Sequence, residues 1–340
     1  MKRPERKRVY HSGLLDSTYW DRFVPRDDDI VISTSFKAGT TWTQRICAAL
    51  VFQSPELEVP VDASSPWLDF RTAPQDFVIP ALEAQTHRRF IKSHLPLDAI
   101  PFYDQAKYIV VGRDARDVFM SLVPHHFNIT PAQLDQMNAK DGVEAVAAHR
   151  KNGREVGPEE EAALLKLRRW EGEDIPTLEG LDIRDIWRLF MTKAMYPWES
   201  DGYPYWSHFY HLNSWWEFRE LPNVLFVHYA DMLNDLDGQM RRISNWLGIE
   251  IDEEIWPSLV DSATFKTMKS QFEKTAPAIT HGVWRDPKSF FHKGSNGRWR
   301  DALTDEDLEL YEVAKNRNLT PAAIRWLEDG GLKAGYPSAS

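Results

Sequence analysis

Four short runs of β-branched and aromatic residues constrain the fold most: DIVISTSF (29–36), RRFIKSH (88–94), KYIVVGR (107–113) and NVLFVHY (223–229). Each is almost continuously apolar and does not alternate, which is how a strand buried on both faces reads. Strands of that kind belong to parallel sheets covered by helices on either side. Helical patterns separate them, over 40–53, over 114–123 with Asp114 as N-cap, and over 230–249 with Gly248 as the stop. The alternation predicts an α/β fold, a central parallel β-sheet flanked by helices. Such sheets bind ligands at the carboxyl ends of their strands. Loops 35–42, 92–96 and 113–121 are therefore expected to meet in space.

The chain has 340 residues, shows no internal repeat, and reads as one domain over 1–340. Residues 130–205 break the strand series with a polar, charged stretch. They read as an insertion or lid over the site, with one amphipathic helix over 158–170. Residues 1–20 begin MKRPERKRVYHSG, basic but without the apolar segment of a secretory signal, and are expected to be a loose end. No run of about 18 apolar residues exists, so no membrane span is expected. A formal net charge of -10 argues against nucleic acid as a partner. It also means that cations serving an anionic ligand must be concentrated locally. The single cysteine, Cys47, rules out an internal disulfide and fits a buried core position in a reducing cytoplasm.

The chemistry-bearing residues follow strand ends. In SFKAGTTW (35–42), Gly39 lets the backbone approach a ligand, and the amides of Gly39, Thr40, Thr41 and Trp42 would open a helix that favours an anion. Lys37 adds a charge, yet it precedes the glycine, whereas the nucleoside-triphosphate loop has lysine after it. In IKSHLP (91–96), Lys92 and His94 alternate by two and point to one side. The lysine disfavours an imidazolium beside it, so His94 stays neutral and suits a general base. In YIVVGRDARDVFMSL (108–122), Arg113 leaves the strand and Ser121 lies two helical turns on. Arginine suits forked phosphate recognition. HKGSNGRWR (292–300) is a flexible basic loop. Taken singly, these pieces also read as an ordinary turn, a surface histidine, a salt-bridged helix start and a surface loop. His125 and His126 are adjacent, so their rings diverge. A structural or acceptor-pocket role is expected for them, and no metal-ligand cluster is found.

Together the ordered motifs resemble the cytosolic-type sulfotransferase family, which uses 3′-phosphoadenosine 5′-phosphosulfate (PAPS) and releases adenosine 3′,5′-bisphosphate (PAP). The resemblance is carried by Lys37-Ala38-Gly39-Thr40-Thr41-Trp42, by Lys92 to Pro96, and by the pair Arg113 and Ser121. It continues in Trp215-Trp216-Glu217, in Tyr229-Ala230-Asp231-Met232, and in His292-Lys293-Gly294 through Trp299. It runs from about residue 28 to about 320 and covers 130–200 poorly. It implies a P-loop-like loop after the first strand that holds the 5′-phosphosulfate. The 3′-phosphate would lie on Arg113, Ser121, His292, Lys293 and Gly294. The adenine would lie between Trp42 and Phe265, with Tyr229 near the base or sugar. It also implies that His94 takes the acceptor proton, Lys37 neutralises the bridging oxygen, and Lys92 binds the sulfuryl oxygens. No metal is implied.

Three positions depart from the family pattern. Ala38 replaces serine, Phe36 replaces a common proline and should loosen the turn, and His292 replaces arginine. The stretch KTAPAITHGVW (274–284) lacks the family's dimer signature, which leaves a monomer or a homodimer. The partner implied is a small-molecule hydroxyl acceptor. Aromatic residues in 69–77 and 198–209 suit an apolar or aromatic alcohol or phenol, although they suit a core as well. Sugar, lipid and polyketide hydroxyls stay open. The rival readings are a P-loop nucleotide kinase-like phosphotransferase and a non-catalytic nucleotide-binding module.

Overall fold

In the computed structural model, which describes residues 2–276, 282–291 and 293–337, the four runs form one sheet. The strands are β1 (Ile30–Thr34), β2 (Phe90–Ser93), β3 (Lys107–Gly112) and β4 (Val224–His228). All neighbours are parallel, in the order β2-β1-β3-β4. The chain thus leaves β1 toward one edge to make β2, then crosses back to lay β3 on the other side of β1. A crevice opens between the carboxyl ends of two strands where the winding reverses in this way.

Side chains alternate along each strand into two cores. Val31, Ile91, Tyr108, Val110, Val224 and Phe226 join one. Ile30, Ile32, Phe90, Ile109, Val111, Leu225 and Val227 join the other. Each such buried side chain contributes about 1.5–3 kcal/mol. This two-sided burial is why the runs look continuously apolar.

The helices include α1 (Thr40–Phe52), α2 (Ala115–Phe127), α3 (Pro131–Asn138), α4 (Gly142–Lys151), α5 (Pro158–Leu164), α6 (Ile183–Thr192), α7 (His208–Trp216), α8 (Tyr229–Asn234), α9 (Leu236–Leu247) and α10 (Pro321–Asp329). Asp114 caps α2 as expected, accepting from the Arg116 N–H at 2.9 Å. Cys47 is fully buried in α1.

Several expectations are corrected. The helix expected over 230–249 is two, α8 and α9. They break at Asp235, whose carboxylate accepts from the Gly238 N–H at 2.9 Å and so caps the second. The helix expected over 158–170 stops at Leu164, because the chain turns back to bury Trp170, whose indole donates to the Ala139 carbonyl at 2.9 Å. The stretch 130–205 also divides. Its first half, α3 to α5, has a small core of its own made by Ala139, Ala145, Val146, Leu164 and Leu167. Its second half places Ile186, Trp187, Phe190 and Met191 of α6 in a main core.

The N-terminal stretch expected to be loose is docked. Tyr10, Leu14, Leu15 and Trp20 are buried, and burial of these apolar groups outweighs the solvation of the basic residues that precede them. Tyr10 donates its hydroxyl to Glu199 at 2.8 Å and accepts from the Trp198 indole at 2.8 Å.

Gly112, at the end of β3, packs against the buried Trp326 of α10, and a Cβ there would lie 2.3 Å from the indole ring. Gly112→Ala should therefore lower stability by about 1–3 kcal/mol, read as an earlier midpoint in chemical denaturation.

Candidate active site

The loop that leaves β1 at the reversal point turns sharply into α1. Lys37 has φ +62° and Gly39 has φ +122°. A non-glycine residue in the left-handed region is held there at a cost of about 1–3 kcal/mol, and such positions cluster at functional sites. Gly39 is the N-cap of α1, with no side chain satisfying the first amides of the helix. Those N–H groups are oriented to receive an anion. Thr40 is tied back to the strand, its hydroxyl 2.5 Å from that of Thr34. The Trp42 indole donates to the Ala263 carbonyl at 2.7 Å, which sets its ring edge-on to Tyr229 at 5.2 Å.

At the neighbouring end of β2, Lys92 and His94 face the same space. The His94 Nδ1 lies 2.9 Å from the Thr34 carbonyl oxygen. A carbonyl only accepts, so the proton sits on Nδ1 and Nε2 keeps its lone pair. Burial, followed by the Lys92 charge, holds this imidazole well below its usual range, so it is neutral.

The Lys92 ammonium sits 4.2 Å above the Trp67 ring. That indole is pinned by Asp69 at 2.5 Å. The same carboxylate accepts from Ser93 at 2.6 Å and from the Trp20 indole at 2.9 Å. Burial pushes Asp69 up to about 6 and Lys92 down to about 8. Lys37 is pushed down to about 7 by burial, then by the charges of Arg113 and Lys92. Lys37 thus stands among like charges, whereas Asp62 and Asp69 support the charge of Lys92.

Arg113 leaves β3 opposite Lys37. Its guanidinium donates to the Lys37 carbonyl at 3.1 Å and to Asn296 Oδ1 at 3.0 and 3.3 Å, and it stacks over Tyr229 at 3.8 Å. The Gly297 N–H donates to Asp117 at 2.7 Å, which clamps the basic loop onto α2. The Arg113 carbonyl accepts from His208 Nε2 at 2.8 Å, and the other nitrogen of that ring meets the Ser35 hydroxyl. His208 thus ties the β1 loop to the end of β3.

One cavity of about 550 Å³ gathers these groups. Lys37, Gly39, Thr40, Thr41, Trp42, Lys92, His94, Arg113, Ser121, Tyr229, Phe265, Lys293 and Gly294 all line it. The lining also holds an apolar set, Phe36, Trp67, Phe70, Ile129, Met137 and Trp284, and on the α3 to α5 side the polar Gln133, Gln136, His149, Arg154 and Glu160.

Residues 27–320 match the family model described as the sulfotransferase domain. The chain belongs to the sulfotransferase family. Members of this family draw the sulfuryl group from PAPS, and the protein is a PAPS-dependent sulfotransferase. The glycolipid sulfotransferase of Mycobacterium bovis is 33% identical over 339 residues, covering 98% of this chain and 97% of its own. Rat sulfotransferase 1A1 is 25% identical over 313 residues, covering 89% of each chain. Among solved structures, mouse sulfotransferase SULT7A1 complexed with PAP shares the fold at a TM-score of 0.61 and 20% identity, covering 94% of this chain and 96% of its own. A retinol dehydratase in a complex with retinol and PAP does so at 0.59 and 21%, covering 89% and 84%.

Membership of this sulfotransferase family sets aside the kinase and the non-catalytic module. Among the described residues no group of three His, Cys, Asp or Glu side chains could hold a metal ion, and no helix is long and apolar enough to cross a membrane.

Two site expectations of the sulfotransferase reading need comment. Ala38 does not line the cavity, since its methyl group is fully buried in a main core. His292 lies outside the described residues. Phe36, expected to loosen the turn, is packed instead. Its ring contacts His94, His125, Tyr205 and Trp206 at 5.4, 5.1, 4.8 and 5.3 Å, so aromatic packing supplies the restraint that proline would. His125 and His126 diverge as expected. His125 lines the cavity, and His126 bonds the Tyr205 hydroxyl at 2.8 Å.

The sequence reading missed Asn296, His208, Asp69 and Trp67. Only His208 carried a signal, a polar residue in the aromatic run WSHFYHLNSWW beside His211, which in turn bonds Ser33 at 3.0 Å.

At Gly39 an added Cβ would sit 3.1 Å from the Tyr229 ring with φ +122°. Gly39→Ala is expected to lose about 1–3 kcal/mol of stability and to reduce PAP affinity at least tenfold, checked by thermal denaturation and calorimetric titration.

Proposed function

We propose that this enzyme transfers the sulfuryl group of PAPS to a hydroxyl of a lipophilic small molecule, with His94 as general base. The observation that carries the reading is the juxtaposition of a neutral imidazole, its Nε2 lone pair free, with two lysines at the boundary between a cationic and an apolar half of one cavity.

The residues fit the donor by charge. Burial lowers Lys37, Lys92 and Arg113 alike, and the charges of Arg113 and Lys92 lower Lys37 further, a state that a multiply anionic nucleotide relieves. The open amides of α1 and Lys37 would hold the phosphosulfate. Arg113, Ser121, Lys293 and Gly294 would hold the 3′-phosphate. Trp42 and Phe265 would flank the base.

His94 would then take the proton from the acceptor hydroxyl as it attacks. Lys37 would offset charge gathering on the departing phosphate, and Lys92 would hold the equatorial oxygens in line. Catalysis on this reading is positioning and electrostatics, with the protein supplying fixed cations in a space shielded from water.

The apolar half supports an acceptor with a hydrophobic body. The mycobacterial relatives are named glycolipid sulfotransferases, which favours a lipid-borne hydroxyl over a simple phenol. Helices α3 to α5 supply Met137 and Leu164 to the cavity wall, beside Ile129, and we read them as the lid of the acceptor side. The single cysteine accords with a reducing cytoplasm as the working compartment.

His94→Ala should reduce turnover by roughly 10²–10⁴-fold and leave PAP affinity unchanged. Near-normal turnover would remove the base assignment. Arg113→Ala should weaken PAP far more than the nucleotide lacking the 3′-phosphate, measured by competitive titration. An equal loss for both would contradict the 3′-phosphate assignment.

A further inference from the structure

The Lys37 ammonium has a partner in the cavity. Nζ lies 3.2 Å from Nδ1 of His125 and 4.6 Å above the Phe290 ring. An ammonium only donates, so Nδ1 is the acceptor and the proton of His125 sits on Nε2. The imidazole is itself fixed, with Trp284, Phe36 and Phe290 at 4.7, 5.1 and 5.8 Å. It is neutral, held well below its usual range by burial first and then by Lys37, His126, Lys92 and His94.

A neutral acceptor has a specific physical consequence at this place. A carboxylate would pair with Lys37 and compete with the incoming phosphate. An apolar side chain would leave the ammonium without an acceptor beside Arg113 and Lys92, whose charges already favour its neutral form. An imidazole lone pair stabilises and aims the charge without cancelling it.

We propose that His125 is a positioning residue for Lys37, its Nδ1 lone pair aiming the ammonium and favouring its charged form before the donor arrives. The proposal rests on the reading of Lys37 as a donor-facing cation. Among the described residues, the charged or titratable groups facing Lys37 are Arg113 from the end of β3, Lys92 from β2, and His125 from α2, with His94 just past β2.

The sign of the effect follows from linkage. Lys37, pushed down to about 7, is charged in the free enzyme below that pH and loses its proton above it. Anion binding is linked to that proton, so nucleotide affinity should fall as pH rises through about 7. Removing the acceptor of the hydrogen bond removes support for the charged form alone. The loss of affinity must then begin at lower pH.

The test compares the unaltered protein with His125→Asn, whose Oδ1 can accept near the place of Nδ1, and with His125→Phe, which keeps a ring but has no acceptor. PAP affinity is titrated calorimetrically from about pH 6 to about pH 9, a span that brackets the shifted lysine. The unaltered protein and His125→Asn should share one alkaline limb. His125→Phe should lose affinity about 2- to 10-fold above neutrality, with the limb displaced to lower pH. In a Lys37→Met background the two His125 variants should bind alike. Superposition of His125→Phe on the unaltered protein overturns the proposal. So does an equal shift in both variants, which would mark a packing role, or a difference that persists in the Lys37→Met background. Should His125→Phe fold poorly, His125→Leu tests the same loss of acceptor. Failure of the unaltered protein to bind PAP would overturn the donor reading itself, and this proposal with it.

Discussion

The reversal of winding between β1 and β3 is the constraint on which the rest depends. Adjacent parallel strands normally send their connections to the same face. Here β1 leads toward β2 on one side, and β3 lies on the other. The two strands stay paired to their carboxyl ends, and the connections that leave those ends part to open a crevice. Lys37 and Arg113 enter that crevice from its two sides, and the Arg113 side chain bonds the Lys37 carbonyl across it. Gly39 and Gly112 mark the same place, each set where a larger residue would strike an aromatic ring.

An acidic protein that gathers several cations in one crevice must keep them apart and in place without neutralising them. At Lys37 the structure does this with neutral groups, while Asp62 and Asp69 support the charge of Lys92, and Asp117 and Asp114 that of Arg113. Backbone carbonyls, an asparagine, aromatic faces and imidazoles receive Lys37, Lys92 and Arg113. Such contacts hold a charge weakly enough that an anion can displace them, whereas a buried carboxylate partner would make the pair self-sufficient. The histidines serve the same end. His94, His125 and His208 are all driven to the neutral form by burial, and each then acts as an oriented hydrogen-bonding group.

The sequence made legible whatever depends on local pattern. All four strands were readable because two-sided burial forces continuous apolar runs, and the motif residues were readable because they follow strand ends. Helix boundaries were less so. The break at Asp235 and the end of α5 at Leu164 come from a side-chain cap and from the burial of Trp170, and neither interrupts hydrophobic periodicity. The docking of residues 2–20 was hidden because a run of basic residues precedes Tyr10, Leu14, Leu15 and Trp20, and Tyr10 finds its ring partners far along the chain, at Tyr196 and Trp198. Asn296 and Asp69 were illegible for a related reason. Each is an ordinary polar residue whose importance lies in what stands across from it, Arg113 in one case and Trp67 with Ser93 in the other.

Trp67 shows why the two halves of the cavity are not independent. One face of its indole backs the Lys92 ammonium, its plane meets the His94 ring edge-on at 4.8 Å, and Phe70 stacks on it at 4.5 Å. It therefore belongs at once to the apolar wall and to the cationic centre. Asp69 fixes it through the indole N–H and reaches back to Ser93 of β2, so the acceptor wall is anchored to the strand that carries Lys92. Reshaping the wall at Trp67 to admit a different acceptor would also change the surroundings of Lys92 and His94. On the proposed reading, acceptor range is more freely altered at Leu164, which packs in the separate small core of α3 to α5, than at Met137, which belongs to the main core.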